Sequence, residues 1–206
     1  MSSKCVNLAI FASGSGTNAE NIVRYFADNK EVSVKLILTN NPNAGVIERM
    51  KKYNISVRAF NREEFYQQNT ILDLLLQSKI DYVILAGFLW LVPEKMIEVF
   101  DNKIINIHPA LLPAYGGKGM YGHHVHQKVI ENKETCSGIT IHLVNKEYDK
   151  GTILFQAVCK IIEDDKKLCS WQSVYRFFCK TERDKECLFF CIKKRRGTKS
   201  RTPERL

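Results

Sequence analysis

Short runs of contiguous apolar residues alternate along the chain with stretches in which apolar residues recur every three or four positions. Residues 6–11 form a β-leaning run, the loop Ala12-Ser13-Gly14-Ser15-Gly16-Thr17-Asn18 follows, and Ile22, Val23 and Phe26 then fall at helical spacing. This predicts strand, glycine loop and helix in succession. A second strand is expected over 32–38, stopped by the turn-forming Asn40-Asn41-Pro42-Asn43, then a helix over 44–53 and a third strand over 57–60. Asn61 is placed to cap a helix with Glu63 and Glu64 in its first turn, where carboxylates suit the helix dipole, and with Phe65, Leu72, Leu75 and Leu76 on one face. Residues 82–86 are almost wholly apolar, as in a strand covered by helices on both sides, and are expected to be central. Pro93 is suited to open a short helix to Phe100. A strand over 104–107, a long loop rich in Gly, Pro and His, a helix near 125–132 and strands over 138–144 and 153–158 complete the pattern. Strands alternating with helices in this way predict an α/β protein with a doubly wound, mostly parallel sheet and helices on both faces. Ligands in such sheets bind beyond the carboxyl ends of the strands at a switch point, which directs attention to the loops after Phe11, Ile105 and Val144.

The longest apolar run, residues 82–92, is closed by Asp81 and Pro93 and falls far short of the ~20 residues a membrane helix needs. No targeting pattern of basic, apolar and small residues opens the chain, so a cytoplasmic location away from membranes is expected. Of 206 residues, 31 are Lys or Arg and 22 Asp or Glu, a net charge of +9 that would suggest nucleic acid if it were spread evenly. It is not: residues 160–206 hold 14 Lys plus Arg against 7 Asp plus Glu, which leaves 17 against 15 for residues 1–159. Five of the seven cysteines also lie at or beyond Cys159, and the absence of any CxxC pair supports free thiols over a disulfide framework or zinc ribbon. The chain is therefore divided into one α/β domain, residues 1–160, and an atypical basic tail rich in Cys and Phe, residues 161–206.

The first loop offers backbone N–H groups and a helix N-terminus to an anion, phosphate above all. It lacks the third glycine of the dinucleotide fingerprint and the Gly-Lys-Ser/Thr of a P-loop, and so supports neither NAD nor ATP. All five histidines fall between positions 108 and 142. Asn106 and His108, two apart on a strand, point the same way, and Asp149, in a turn between two strands, is a carboxylate that could orient His108 or raise its basicity. A His can carry a proton near neutral pH, and an Asn amide can stabilise an oxygen gaining negative charge. His123, His124 and His126 have no matching ligand set at helical spacing, so a metal is not expected.

Four ordered blocks carry a resemblance: Ala12-Ser13-Gly14-Ser15-Gly16-Thr17-Asn18, Leu85-Ala86-Gly87-Phe88-Leu89-Trp90-Leu91-Val92-Pro93, Ile105-Asn106-Ile107-His108-Pro109-Ala110-Leu111-Leu112-Pro113, and Asp149-Lys150-Gly151-Thr152-Ile153-Leu154-Phe155-Gln156. In their order and spacing, over about residues 4–160, the chain resembles the phosphoribosylglycinamide formyltransferase family, the folate-dependent GAR transformylases of purine biosynthesis. The resemblance implies the Rossmann-like formyltransferase fold and transfer of a formyl group from 10-formyltetrahydrofolate, as co-substrate, to the amine of glycinamide ribonucleotide. It implies that Gly16, Thr17 and Asn18 hold the ribonucleotide phosphate and that Leu89, Trp90, Leu91 and Val92 line the folate pocket, with Arg62 and Asn106 also contributing to folate binding. Asn106, His108 and Asp149 would be the catalytic trio: Asn106 and protonated His108 stabilise the tetrahedral oxyanion, His108 assists proton transfer, and Asp149 keeps His108 oriented and more basic. No metal and no nucleic-acid or membrane partner are implied; oligomeric state is left open.

The loop 114–126, with Gly116, Gly117, Gly119 and Gly122, is longer than in the shortest family versions and is expected to act as a flap over the folate site. Beyond Val158 only the acidic Glu163-Asp164-Asp165 matches the family pattern. The abrupt change in composition is what a reading-frame shift would produce; the alternative is a basic appendage that meets a membrane surface or nucleic acid. Rival functions are formyl transfer to methionyl-tRNA, which would bring a dedicated basic C-terminal domain and a first loop without the Gly-Thr-Asn ending, and hydrolysis of formyltetrahydrofolate, which usually brings an N-terminal regulatory domain. RNA binding through the tail is the non-enzymatic rival.

Overall fold

The computed structural model describes residues 5–161. The expected tail, residues 161–206, lies outside the described residues except for Ile161. Seven strands form one sheet in the order β3-β2-β1-β4-β5-β6-β7. They are β1 (Val6–Phe11), β2 (Val32–Thr39), β3 (Ser56–Ala59), β4 (Tyr82–Leu85), β5 (Ile104–His108), β6 (Cys136–Leu143) and β7 (Ile153–Lys160). The first five are mutually parallel, whereas β6 runs antiparallel to both β5 and β7. β4 occupies the centre and is buried along its whole length, which explains its unbroken apolar sequence.

Alternation along the strands sends side chains into two cores. Leu8, Ile10, Ile37, Ile84, Ile105 and Ile141 pack beneath α1 (Thr17–Phe26) and α2 (Gly45–Met50), which contribute Ile22, Val23, Phe26, Val46 and Met50. On the opposite face, Ala9, Phe11, Leu36, Leu38, Val83 and Leu85 meet α3 (Arg62–Tyr66), α4 (Thr70–Gln77) and α5 (Glu94–Val99). The remaining helix, α6 (His123–Glu131), precedes β6.

Two helical stretches differ from expectation. The one over 44–53 is α2 followed by a 3-10 turn, Lys51–Tyr53, which ends where Asn54 turns left-handed at φ 52°. The helix expected from Asn61 through Leu76 is broken in two before α4, where Asn69 adopts a left-handed backbone at φ 55°. Phe65, Leu72 and Leu75 are buried, but Leu76 is 50% exposed: the buried face of α4 is Ile71, Leu72 and Leu75, and Leu76 lies off it. The cap itself forms as expected. Asn61 Oδ1 accepts from the Glu64 backbone N–H at 2.9 Å, and Glu64 Oε2 accepts from the Asn61 N–H at 2.9 Å, a reciprocal capping box.

Candidate active site

Strands leave β1 toward β2 on one side and β4 on the other, and the loops at their carboxyl ends diverge to open a crevice. A cavity of about 670 Å³ lies there, lined by segments 13–18, 85–92, 106–109, 117–122 and the turn that follows β6. Gly16, Thr17, Asn18, Leu89, Trp90, Leu91, Val92, Asn106, His108 and Asp149 all line it. Arg62 does not; its guanidinium lies over the Trp90 ring, 4.9 Å from the centroid, and touches the cavity only through that side chain.

The glycine loop is pinned from three sides. Gly14 O accepts from the Val46 N–H at 3.1 Å, Ser13 Oγ accepts from the Leu89 N–H at 3.0 Å, and Ser15 O accepts from Arg49 Nε at 2.8 Å. Gly16 turns into α1 at φ 74°, and a Cβ there would stand 2.5 Å from Val46 Cβ, so both backbone and neighbour demand glycine. Among the described residues no side chain caps α1, and its N-cap Gly16 and first residues Thr17 and Asn18 line the crevice, an arrangement that suits an anion. Arg49 is held in turn by Glu20, which also accepts from Tyr53 Oη at 2.9 Å and pairs with Lys52. Burial works against the Glu20 charge, but these three donors overcome it and bring its carboxyl down to about 2.

Across the crevice, Tyr66 Oη donates to Leu91 O at 2.9 Å and its ring stacks on Trp90 at 6.0 Å. Trp90, Phe60, Phe65, Phe88 and Phe11 form a continuous aromatic packing beneath the strap 89–92.

Asn106, His108 and Asp149 are brought together at the sheet's edge of this cavity. Asn106 Nδ2 donates to Asp149 Oδ1 at 3.2 Å, and His108 Nδ1 lies 3.6 Å from the same oxygen. Gly117 N–H donates to Asp149 Oδ2 at 2.9 Å, and His108 Nε2 donates to Tyr115 O at 2.8 Å. Burial pushes His108 below the ordinary histidine value, against the pull of Asp149 and the Tyr115 carbonyl; His142 pushes in the same direction as burial. The net displacement is thus opposite to the one expected from Asp149 alone. Burial raises Asp149, but His142, His108 and the Gly117 N–H together hold it below the usual carboxylate range.

His142 belongs to this cluster, although it is not among the site residues expected from the sequence. It pairs directly with Asn106 across the antiparallel β5–β6 ladder and is 2% exposed. Its Nδ1 donates to Leu143 O at 2.8 Å, so in the neutral ring Nε2 accepts from Asn106 Nδ2 at 3.0 Å. The 3.5 Å approach of the same Nε2 to Asp149 Oδ1 is a contact that a protonated ring would use. The signal available beforehand was the alternation Thr140, His142 on a strand of otherwise apolar residues. Among the described residues, no group of three or more His, Cys, Asp or Glu side chains is arranged to hold a metal ion, and no helix is long and apolar enough to cross a membrane.

The mostly parallel sheet carries a glycine loop after β1 and an Asn-x-His pair on β5, and the family described as Formyl transferase matches residues 6–176: the chain belongs to the formyl transferase family. Within it, the chain is similar to enzymes named phosphoribosylglycinamide formyltransferase. It is 40% identical over 164 residues to the chloroplastic one of Arabidopsis thaliana, covering 77% of this chain and 56% of the relative. It is 34% identical over 162 residues to that of Bacillus subtilis (strain 168), covering 76% of this chain and 80% of the relative. The crystal structure of phosphoribosylglycinamide formyltransferase from Bacillus halodurans superposes with a TM-score of 0.76 at 31% identity, over 89% of this chain and 95% of that one. The chain spans little more than half the length of the plant relatives it matches.

Proposed function

We propose that the chain catalyses formyl transfer from 10-formyltetrahydrofolate to the amine of glycinamide ribonucleotide, giving formyl-glycinamide ribonucleotide for purine synthesis. The observation that carries this reading is the convergence in one cavity of an uncapped helix N-terminus, an apolar strap on aromatic packing, and the cluster Asn106, His108 and Asp149. The first suits a phosphate and the second a flat heteroaromatic ring.

Gly16, Thr17 and Asn18 hold the ribonucleotide phosphate in this proposal, and Leu89, Trp90, Leu91, Val92 and Asn106 receive the folate, with Arg62 acting by fixing Trp90. The folate supplies the formyl group on its N10. The substrate amine forms a C–N bond to the formyl carbon, the bond from that carbon to N10 breaks, and one proton passes from the amine to N10. In this reading the oxygen that gains negative charge takes an Asn106 Nδ2–H in place of His142 or Asp149 and is stabilised by the positive charge of protonated His108, which Asp149 holds in place. Holding both reactants in one site supplies much of the acceleration. The proposal places the enzyme in the cytoplasm with small-molecule partners only, and treats residues 1–160 as the catalytic domain.

The test is a formyl-transfer assay in which glycinamide ribonucleotide, methionyl-tRNA and water compete as acceptors. Turnover should go to the ribonucleotide and should fall at least ~10²-fold in His108→Ala. Preferential transfer to tRNA or to water would overturn the substrate assignment, and undiminished turnover in His108→Ala would overturn the site.

A further inference from the structure

Segment 115–117 touches two of the three proposed catalytic side chains through its backbone, and its own anchorage lies outside the cavity's chemistry. The Tyr115 carbonyl accepts from His108 Nε2 at 2.8 Å; a carbonyl only accepts, so Nε2 carries the proton. Two residues on, the Gly117 N–H donates to Asp149 Oδ2 at 2.9 Å. Gly116 between them passes so close that a Cβ would stand 2.6 Å from Leu112 Cδ2 and 3.2 Å from Asp149 Cβ. Tyr115 itself adopts a left-handed backbone, φ 57°, a conformation that needs outside support in a bulky residue.

That support comes from its side chain. Tyr115 Oη donates to Glu134 Oε1 at 2.7 Å and accepts from Asn132 Nδ2 at 3.0 Å. Both partners sit where α6 ends and the chain turns toward β6, and both are fastened to that helix: the Asn132 N–H donates to Lys128 O at 3.0 Å and the Glu134 N–H to Val129 O at 3.2 Å. The phenol is thus latched to a rigid helix end while the main chain of the same residue meets the catalytic histidine.

We propose that Tyr115 is a positioning residue for His108: its phenol latch on Glu134 and Asn132 fixes the Tyr115 carbonyl on Nε2, so that Nδ1, facing Asp149, is the ring nitrogen that gains and loses the proton. A histidine's tautomer is set by the hydrogen bond its other nitrogen makes, and here that bond is supplied by a backbone atom held in place from a distance. With Nε2 so occupied, the neutral ring turns a lone pair toward Asp149 Oδ1 at 3.6 Å, whereas the protonated ring donates at both ends, to Tyr115 O and toward Asp149. The titratable groups facing His108 are Asp149 from the turn after β6 and His142 from β6, and neither contacts the phenol. This inference rests on His108 being the acid–base group of the proposed reaction, and the experiment separates the two.

The variant Tyr115→Phe keeps the ring and removes the latch; Glu134→Ala, at an exposed position, removes the acceptor without touching Tyr115. Nitrogen-15 NMR of the histidines in the full chain reports tautomer and titration without any turnover. In wild type the neutral His108 should carry its proton on Nε2. In both variants the Nδ1–H form should become populated, and proton occupancy of His108 at a fixed pH should fall about tenfold as the Tyr115 carbonyl is released. In the formyl-transfer assay, kcat should fall about tenfold at neutral pH while both KM values stay within about twofold, and Glu134→Gln, which keeps a carbonyl acceptor, should restore kcat. Unchanged tautomer and titration in the folded variants overturns the inference whether or not the wild type transfers formyl to the ribonucleotide. Changed NMR signals in the variants, with a wild type that lacks that activity, would leave the latch standing and remove the proposed reaction instead.

Discussion

Replacing Asp149 by Asn leaves the side-chain shape unchanged and removes one charge. In the native cluster the carboxylate accepts from the Gly117 N–H at 2.9 Å and from Asn106 Nδ2 at 3.2 Å, and lies 3.6 Å from His108 Nδ1 and 3.5 Å from His142 Nε2. An amide offers one acceptor where the carboxylate offered two. If its oxygen serves Gly117, its NH2 is set against the Asn106 amide and toward the lone pair on His108 Nδ1, which favours the neutral ring. If it is turned around, the Gly117 N–H loses its acceptor. Either way the charge that pulls His108 upward is gone, and burial acts with less opposition. An opposite charge at this range typically changes proton occupancy by about tenfold to a thousandfold, equivalent to about 1.4 to 4 kcal/mol. The neutral-pH turnover of Asp149→Asn should therefore fall by about 10- to 10³-fold if the protonated ring is the active form. Part of the loss should be recovered as the pH is lowered, because protonation is what the variant lacks. The assays are an NMR titration of His108 and a pH–rate profile, with far-UV circular dichroism at each pH to confirm folding. A His108 titration that is unchanged or moves upward would refute the electrostatic reasoning. Loss of turnover with no recovery at lower pH would show that Asp149 acts only by placing its neighbours.

Gly16→Ala should cost about 1–2 kcal/mol for a left-handed alanine and about 1–3 kcal/mol for the collision with Val46; differential scanning fluorimetry should show a Tm drop of several degrees and kinetics a raised KM for the ribonucleotide, and an unchanged Tm would refute the packing argument. Acid should unfold the protein in two stages. His108 is depressed in the fold, so the unfolded chain takes up its proton first and stability declines as the pH falls through about 6.5. Glu20 and Asp149 are also depressed, so their contributions are present above the unfolded values of 4.5 and 3.8 and are lost below them, for Glu20 down to about 2. For Glu20 that displacement corresponds to at most about 3 kcal/mol, reduced to about 1 kcal/mol by screening through the exposed Lys52. Urea titrations between pH 7 and 3 should show Glu20→Gln losing most of the second stage, and a slope like that of the wild type there would refute the pairing.

Much of this architecture could be read from periodicity because local and tertiary forces agree. The wholly apolar β4 could only lie inside a sheet covered on both faces, and Asn61 followed by two glutamates announced a helix start, though not the reciprocal capping box that forms there. The break at Asn69 escaped because the apolar spacing runs through it nearly in phase, and a left-handed Asn leaves little trace in a hydrophobic pattern. The reversed direction of β6 escaped because side-chain alternation is the same in either sense. At the site, Asn106, His108 and the glycine loop were legible because each lies at a strand's end. His142 reaches them through strand pairing, and Gly117 and Tyr115 through backbone atoms that any residue carries, so the sequence held little to mark them.

The antiparallel ladder of β5 and β6 sets Asn106 opposite His142 and His108 opposite Thr140, four polar side chains on one face, with Ile105 and Ile107 opposite Leu143 and Ile141 on the other. Strand pairing with a two-residue period makes this a ruler with one permitted setting. A single residue inserted or deleted within β6 would carry His142 and Thr140 to the apolar side and bring Ile141 and Leu143 against Asn106 and His108, exchanging core for cavity lining in one step. The connection between β6 and β7 is free of that constraint as far as Asn145, Lys146 and Glu147, where added length need only return Asp149 to its place. Variation in length among descendants of this sequence should therefore gather in that connection and be excluded from the eight residues before it.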